Sequence, residues 1–201
     1  MTRLGEIATV SAGANFRARI PISASGKVRV IQTKDLGDGL VHLNKVVRVN
    51  LPSPKLGCLM RAGDIIFRSR GQPHTAALLT KNAKDTIVGA PLLLVRANAD
   101  KVLPEYLLWC INQPSSQSSL ASAARGTSVK MIGKQALEDL EVNLPPLAEQ
   151  SKVAKIISLS NREQQLLEKM KKLRALHIHG ILTQMTSQPH QSASSKQASS
   201  T

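Results

Sequence analysis

From Phe67 to His74 the chain reads Phe-Arg-Ser-Arg-Gly-Gln-Pro-His, a short run rich in groups that recognise other molecules. Arg68 and Arg70 have the same parity, so on an extended segment both point from one sheet face. A guanidinium can pair bidentately with guanine O6 and N7 or with a phosphate. The Gln72 amide can pair with adenine N6 and N7, and His74 closes the group. The alternative is structural, with two surface arginines held by carboxylates, and both assignments stand at this point. Arg17, Arg19, Lys27, Arg29 and Lys34 form a second basic group. Arg125 and Lys130 flank Gly126 as candidate phosphate contacts.

Covalent chemistry finds no comparable constellation. Gly26-Lys27 is followed by Val28 and Gly133-Lys134 by Gln135, so neither completes a phosphate-cradling loop. Leu144-Pro-Pro-Leu147 shares with an amino-methyltransferase tetrapeptide its prolines alone, lacking the polar first and aromatic last residues. None of the 13 acidic residues has Lys two places on, as a nuclease metal site commonly requires. His177 and His179 lie roughly 200° apart on a helix, which prevents them from sharing a metal. Cys58 and Cys110 stand far apart in apolar contexts without an assigned base, so both are expected to be buried free thiols. No enzyme activity, metal or cofactor is expected.

Val28–Ile31, Val46–Val49, Asp64–Phe67 and Leu92–Val95 read as strands of one twisted sheet. Pro104-Glu105 opens a helix with Leu107, Leu108 and Ile111 on one stripe, and Ser115–Ala124 reads as a second helix. Gly126–Lys130 is a turn leading into an extended stretch, and Leu140–Leu144 a last short strand. Beyond Pro145-Pro146 a helical pattern runs from Leu147 to about Met185, roughly 55–60 Å at 1.5 Å per residue. Leu159, Leu166, Met170 and Leu173 lie on its apolar stripe and are expected to meet another helix. Ser158–Asn161 and Gly180 are its expected weak points. The fold class is α+β. Residues 1–146 form the recognition domain, 147–186 a long helix for dimerisation and partner docking, and 187–201 a disordered Ser/Gln-rich tail.

Charge narrows the partner. The 201 residues carry a net +14, unevenly distributed. Residues 1–84 hold 14 Lys/Arg against 4 Asp/Glu, while residues 85–147 hold 5 against 6. A polyanion follows, either nucleic acid or an acidic membrane surface. Phe16, Phe67, Tyr106 and Trp109 are too few and too scattered for the stacking platforms of single-strand binders, so duplex DNA is favoured. No apolar run reaches 18 residues and the first ten lack a signal-type apolar core, so a cytoplasmic location away from membranes is expected.

Three segments then carry a family resemblance. Gly63-Asp-Ile-Ile-Phe-Arg-Ser-Arg-Gly71, Gly126-Thr-Ser-Val-Lys-Met-Ile132 and Leu144-Pro-Pro-Leu-Ala-Glu-Gln150 occur in that order. Together they resemble the target-recognition domain and helical spacer of type I restriction–modification specificity subunits. Leu4–Val10 and Ile31–Leu36 fit the start of the same domain. The resemblance implies a non-catalytic, sequence-specific duplex-DNA reader that positions DNA-methyltransferase subunits and works beside a restriction subunit. Such subunits carry two domain-plus-helix units and read a bipartite target. This chain holds one unit, which implies a half-subunit that homodimerises, pairs with another half, or is a remnant. The other function class left open is an accessory protein that binds a methyltransferase without reading sequence.

Overall fold

The computed structural model describes residues 1–16, 20, 22–37, 39–51, 59–71, 74–126 and 130–187, with backbone alone for Lys45 and Ser187. The described residues form two units, one of Met1–Ile156 and one beginning at Ile157. In chain order they give β1 (Thr2–Arg3), α1 (Leu4–Ile7), β2 (Ala8–Ala12) and β3 (Val28–Ile31). A 3-10 turn (Thr33–Asp35), β4 (Leu36–Gly37), β5 (Leu40–Val41) and a second 3-10 turn (Leu43–Lys45) follow. Next come β6 (Val47–Val49), β7 (Asp64–Arg68), β8 (Ala76–Leu78), β9 (Thr86–Val88) and β10 (Leu92–Ala97). The helical part holds α2 (Pro104–Asn112), α3 (Pro114–Ala123), α4 (Lys134–Glu138), β11 (Glu141–Val142) and α5 (Leu147–Ser187).

The architecture is α+β, but the single twisted sheet expected from the strand pattern is replaced by three sheets. Six strands run in the order β2-β10-β7-β8-β5-β4, three in the order β6-β3-β9, and β1 pairs with β11. The reason is that alternation encodes a buried face and not a partner. Val28–Ile31 pairs in parallel with Thr86–Val88, away from β7 and β10. Gly89, Ala90 and Pro91 separate β9 from β10, so two adjacent strands enter different sheets.

The run Asp64-Ile-Ile-Phe67 is apolar throughout because β7 is covered on both faces. Ile65 and Phe67 pack with Val95, Tyr106, Leu107 and Ile111. Ile66 packs with Ile31, Met60, Leu92 and Leu94 on the opposite side. Asp64 closes the start of β7, fully buried, with Oδ1 accepting from Arg96 Nε (2.7 Å) and Oδ2 from Arg96 Nη2 (2.8 Å). The Arg61 N–H donates to the same Oδ2 at 2.8 Å, so both oxygens are satisfied and the buried charge is compensated.

Pro104 and Pro114 each occupy the first helical turn, where the missing N–H costs no helix bond. The Pro-Pro-Leu-Ala-Glu-Gln segment works through its last residue. Gln150 is buried, its Oε1 accepting from the Leu103 N–H (2.9 Å) and its Nε2 donating to the carbonyls of Lys101 (3.0 Å) and Pro145 (2.8 Å). The first turn of α5 is thereby fixed to the start of α2. α5 runs unbroken through Ser158–Asn161 and Gly180, against the weak points expected there. Ser and Asn sacrifice at most about 0.7 kcal/mol each in a helix and Gly about 1 kcal/mol, too little to stop a helix flanked by strong formers. The expected tail, apart from Ser187, lies outside the described residues. Among the described residues no helix is long and apolar enough to cross a membrane.

Tyr106 gives a direct check on this packing. It is buried, and its phenol donates to the Asn143 carbonyl at 2.9 Å. Burial pushes the phenol up to about 12, with the Cys110 thiol adding to the effect. Its value exceeds the unfolded value of about 10, so its contribution to stability is complete below pH 10 and is lost as pH rises towards 12. It is the one tyrosine in the chain. Absorbance at 295 nm is expected to show no tyrosinate in the native protein between pH 10 and 11, while denatured chain titrates near 10. Native ionisation near pH 10 would contradict the packing.

Candidate nucleic-acid interface

β7 leaves the six-stranded sheet at Arg68 and the chain is immediately captured by a segment far away in sequence. Ser69 is buried, and its Oγ donates to the Ile132 carbonyl at 2.7 Å while the Ile132 N–H returns a bond to the Ser69 carbonyl at 2.9 Å. The Gly71 N–H reaches the Lys130 carbonyl at 3.4 Å. Met131 and Arg125 exchange two further backbone bonds of 2.8 and 3.0 Å. Three stretches thus form a small ribbon, with Met131 bridged to Arg70 on one side and to Arg125 on the other. Its bends use Gly71 at φ +81° and Gly126 at φ +118°, a backbone region unfavourable to residues with a Cβ.

Directly opposed residues of an antiparallel pair share a face. Arg70, Met131 and Arg125 therefore make one row, two guanidiniums with a thioether between them, and all three are exposed. Lys130 lies next to Met131 and is exposed as well. On the other flank, Arg68 is half-buried and its Nη2 donates to the Thr33 carbonyl at 3.3 Å. That bond ties β7 to the 3-10 turn carrying exposed Lys34. The turn itself is locked by a reciprocal pair, the Asp35 carboxylate accepting from the Gln32 N–H at 2.9 Å and the Asp35 N–H donating to Gln32 O at 3.0 Å. Four exposed cations, Lys34, Arg70, Arg125 and Lys130, thus sit on three segments bonded to the end of β7 and its continuation. Among the described residues none of the four has a carboxylate within ion-pair distance, so their charge faces solvent uncompensated.

Other residues singled out by sequence sit differently. His74 is 4% exposed, with Nδ1 3.3 Å from the Arg68 carbonyl and Nε2 buried without a partner among the described residues, so its ring is interior. Arg29 directs Nε and Nη2 to Asp85 Oδ1 at 3.1 and 2.5 Å, and Arg48 lies 3.9 Å from Asp85 Oδ2. The Arg29 hydrogen bond holds the Asp85 carboxyl below its ordinary value, so this arginine is paired within the three-stranded sheet region. Lys27 is exposed at the head of β3. Arg17, Arg19, Gln72 and Cys58 lie outside the described residues, and Cys110 is a buried free thiol. The second basic group therefore divides, with Lys34 joining the β7 cluster and Arg29 neutralised. On α5, Leu159 (63%), Leu166 (46%), Met170 (65%) and Leu173 (55%) are all exposed.

Met131 and Ser69 join the site only through the fold. Neither carries a local signal, since the pairing of 69–71 with 130–132 spans some sixty residues. An open cavity of about 1040 Å³ adjoins the ribbon, lined by Ser119, Ser122, Arg125, Met131, Gln135 and Asp139 among others. Among the described residues no group of three or more His, Cys, Asp or Glu side chains is placed to hold a metal ion.

The sequence profile of the type I restriction modification DNA specificity domain matches residues 1–176. The chain belongs to this family. A Methanocaldococcus jannaschii protein assigned as a type I restriction enzyme specificity subunit is 31% identical over 121 residues, covering 55% of this chain and 28% of its own length. The HsdS subunit of Thermoanaerobacter tengcongensis has the same fold, with a TM-score of 0.62 at 18% identity over 84% of this chain and 38% of that subunit. A chain from a structure of type I R-M complex assembly and conformational transition gives 0.63 at 19% identity, over 92% of this chain and 42% of that one. This specificity-domain chain thus spans well under half the length of the relatives it matches.

Proposed function

We propose that the chain is a non-catalytic recognition module of a type I restriction–modification system. It binds duplex DNA sequence-specifically and reads one part of a bipartite target. The observation that carries this reading is that Lys34, Arg70, Arg125 and Lys130, exposed cations without an ion-pair partner among the described residues, sit on segments bonded to the end of β7 in a specificity-family domain. Arg70 and Arg125 supply forked donors for guanine edges or phosphates, and Lys34 and Lys130 supply point charges for the backbone. Arg68 acts as the strut that holds the Lys34 turn beside them.

The exposed apolar residues of α5 pair with a second helix, from another copy or another half, and the helices position methyltransferase subunits. A restriction subunit completes the assembly. A fold neighbour drawn from a type I R-M assembly supports this placement among partners.

Anisotropy titrations of labelled 30-base-pair duplexes over a salt series test the DNA reading. Four or more neutralised phosphates are expected to give a log-affinity against log-salt slope of about −3.5 or steeper. A flat plot would overturn it.

A further inference from the structure

We infer that Met131 is a specificity-determining contact, its thioether taking a pyrimidine C5-methyl group in the DNA major groove. This rests on the DNA-reading role proposed above and adds to it an apolar reader that sequence motifs did not indicate.

Met131 is 46% exposed, and its backbone is held on both sides by bridges to Arg70 and Arg125. An exposed apolar side chain is ordinary by itself. This one stands at the middle of a cationic row on a hydrogen-bonded ribbon. With opposed Cα atoms 4.5–5.5 Å apart, Arg70 and Arg125 lie roughly 10 Å from each other across it. The major groove is about 12 Å wide, admits a β-ribbon, and is the groove that displays the thymine methyl. The two flanking guanidiniums can hold guanine edges or phosphates while the thioether faces a base edge between them.

The carboxylate nearest the ribbon along this cavity is already paired. Met131 and Arg125 line one end of the neighbouring open cavity and Asp139 lines it too. The Asp139 carboxylate accepts from Gln135 Nε2 at 3.2 Å and stands 3.8 Å from Arg3 Nη1.

The test starts from duplexes enriched from a randomised 30-base-pair library by the wild-type chain. Each thymine of the enriched motif is replaced singly by uracil, which removes the C5-methyl and leaves base pairing intact. At one position this is expected to weaken wild-type binding about three- to fivefold, the worth of one buried methyl-sized group. Met131→Ala is expected to lose a similar factor on the thymine duplex and to be indifferent to uracil there, with an unchanged salt slope. Met131→Leu keeps the discrimination.

Indifference of the wild type to every uracil overturns the inference, as does an equal uracil penalty in Met131→Ala. The uracil scan on the wild type needs no variant, so a misfolded variant leaves the test intact. Absence of DNA binding would instead reject the DNA-reading role itself, a separate outcome.

Discussion

Replacing Leu166, Met170 and Leu173 with serine is expected to convert a self-associated chain into a monomer that keeps its helical content. Leu159, Leu166, Met170 and Leu173 are separated by seven, four and three residues, the spacing of a coiled-coil seam. All four are about half exposed or more, an apolar stripe without cover in a single chain. Each such side chain buried in a partner contributes roughly 1.5–3 kcal/mol, so three per chain dominate any association through this face. Sedimentation at tens of micromolar reads the outcome directly. A wild-type chain that sediments as a monomer would exclude symmetric pairing and leave pairing with a different half as the route to a bipartite target.

Arg70→Ala together with Arg125→Ala is expected to lower duplex affinity by two orders of magnitude or more. A bidentate base contact is worth about 1–3 kcal/mol, so losing two costs about 2–6 kcal/mol on the cognate duplex. The two arginines flank Met131 and have no acidic partner among the described residues, so truncation leaves no buried carboxylate behind. Lys130→Ala should differ in kind. It weakens cognate and scrambled duplexes alike and reduces the slope by about one unit. Equal losses on both duplexes for the arginine pair would reassign Arg70 and Arg125 to phosphates. An unchanged affinity in the double variant would remove this surface from the DNA altogether.

The parts of the fold readable from sequence are those with strong local signals. Pro104 and Pro114 mark helix starts because their fixed φ and missing N–H suit a first turn. The apolar period from Leu147 onward predicts a helix that ends within two residues of the observed Ser187. The strands Val28–Ile31 and Asp64–Phe67 stand out by their β-branched and apolar runs. The short α1 and α4 carry no comparable pattern. They are stable because Leu4, Ile7 and Leu137 fill the core under the six-stranded sheet, a tertiary effect invisible in five-residue windows.

The site was legible in its residue types and less so in their states. Parity alone puts Arg68 and Arg70 together, yet the first spends an Nη2 donor on Thr33 and the second has no ion-pair partner among the described residues. Nothing local to His74 announces its burial, nor does anything near Arg29 announce Asp85, 56 residues away. Met131 becomes noticeable once the Ser69–Ile132 bonds bring Arg70 alongside it. Long-range backbone pairing decides each of these outcomes, and a single sequence contains no record of it.

Selection from a randomised duplex library reads out whether the surface around β7 recognises sequence in duplex DNA. The wild-type chain is expected to enrich one short motif. The Arg70→Ala, Arg125→Ala double variant is expected to enrich none while keeping its native melting transition. Retention of random duplexes by the wild type without any enriched motif, or the same motif from both proteins, would contradict the account.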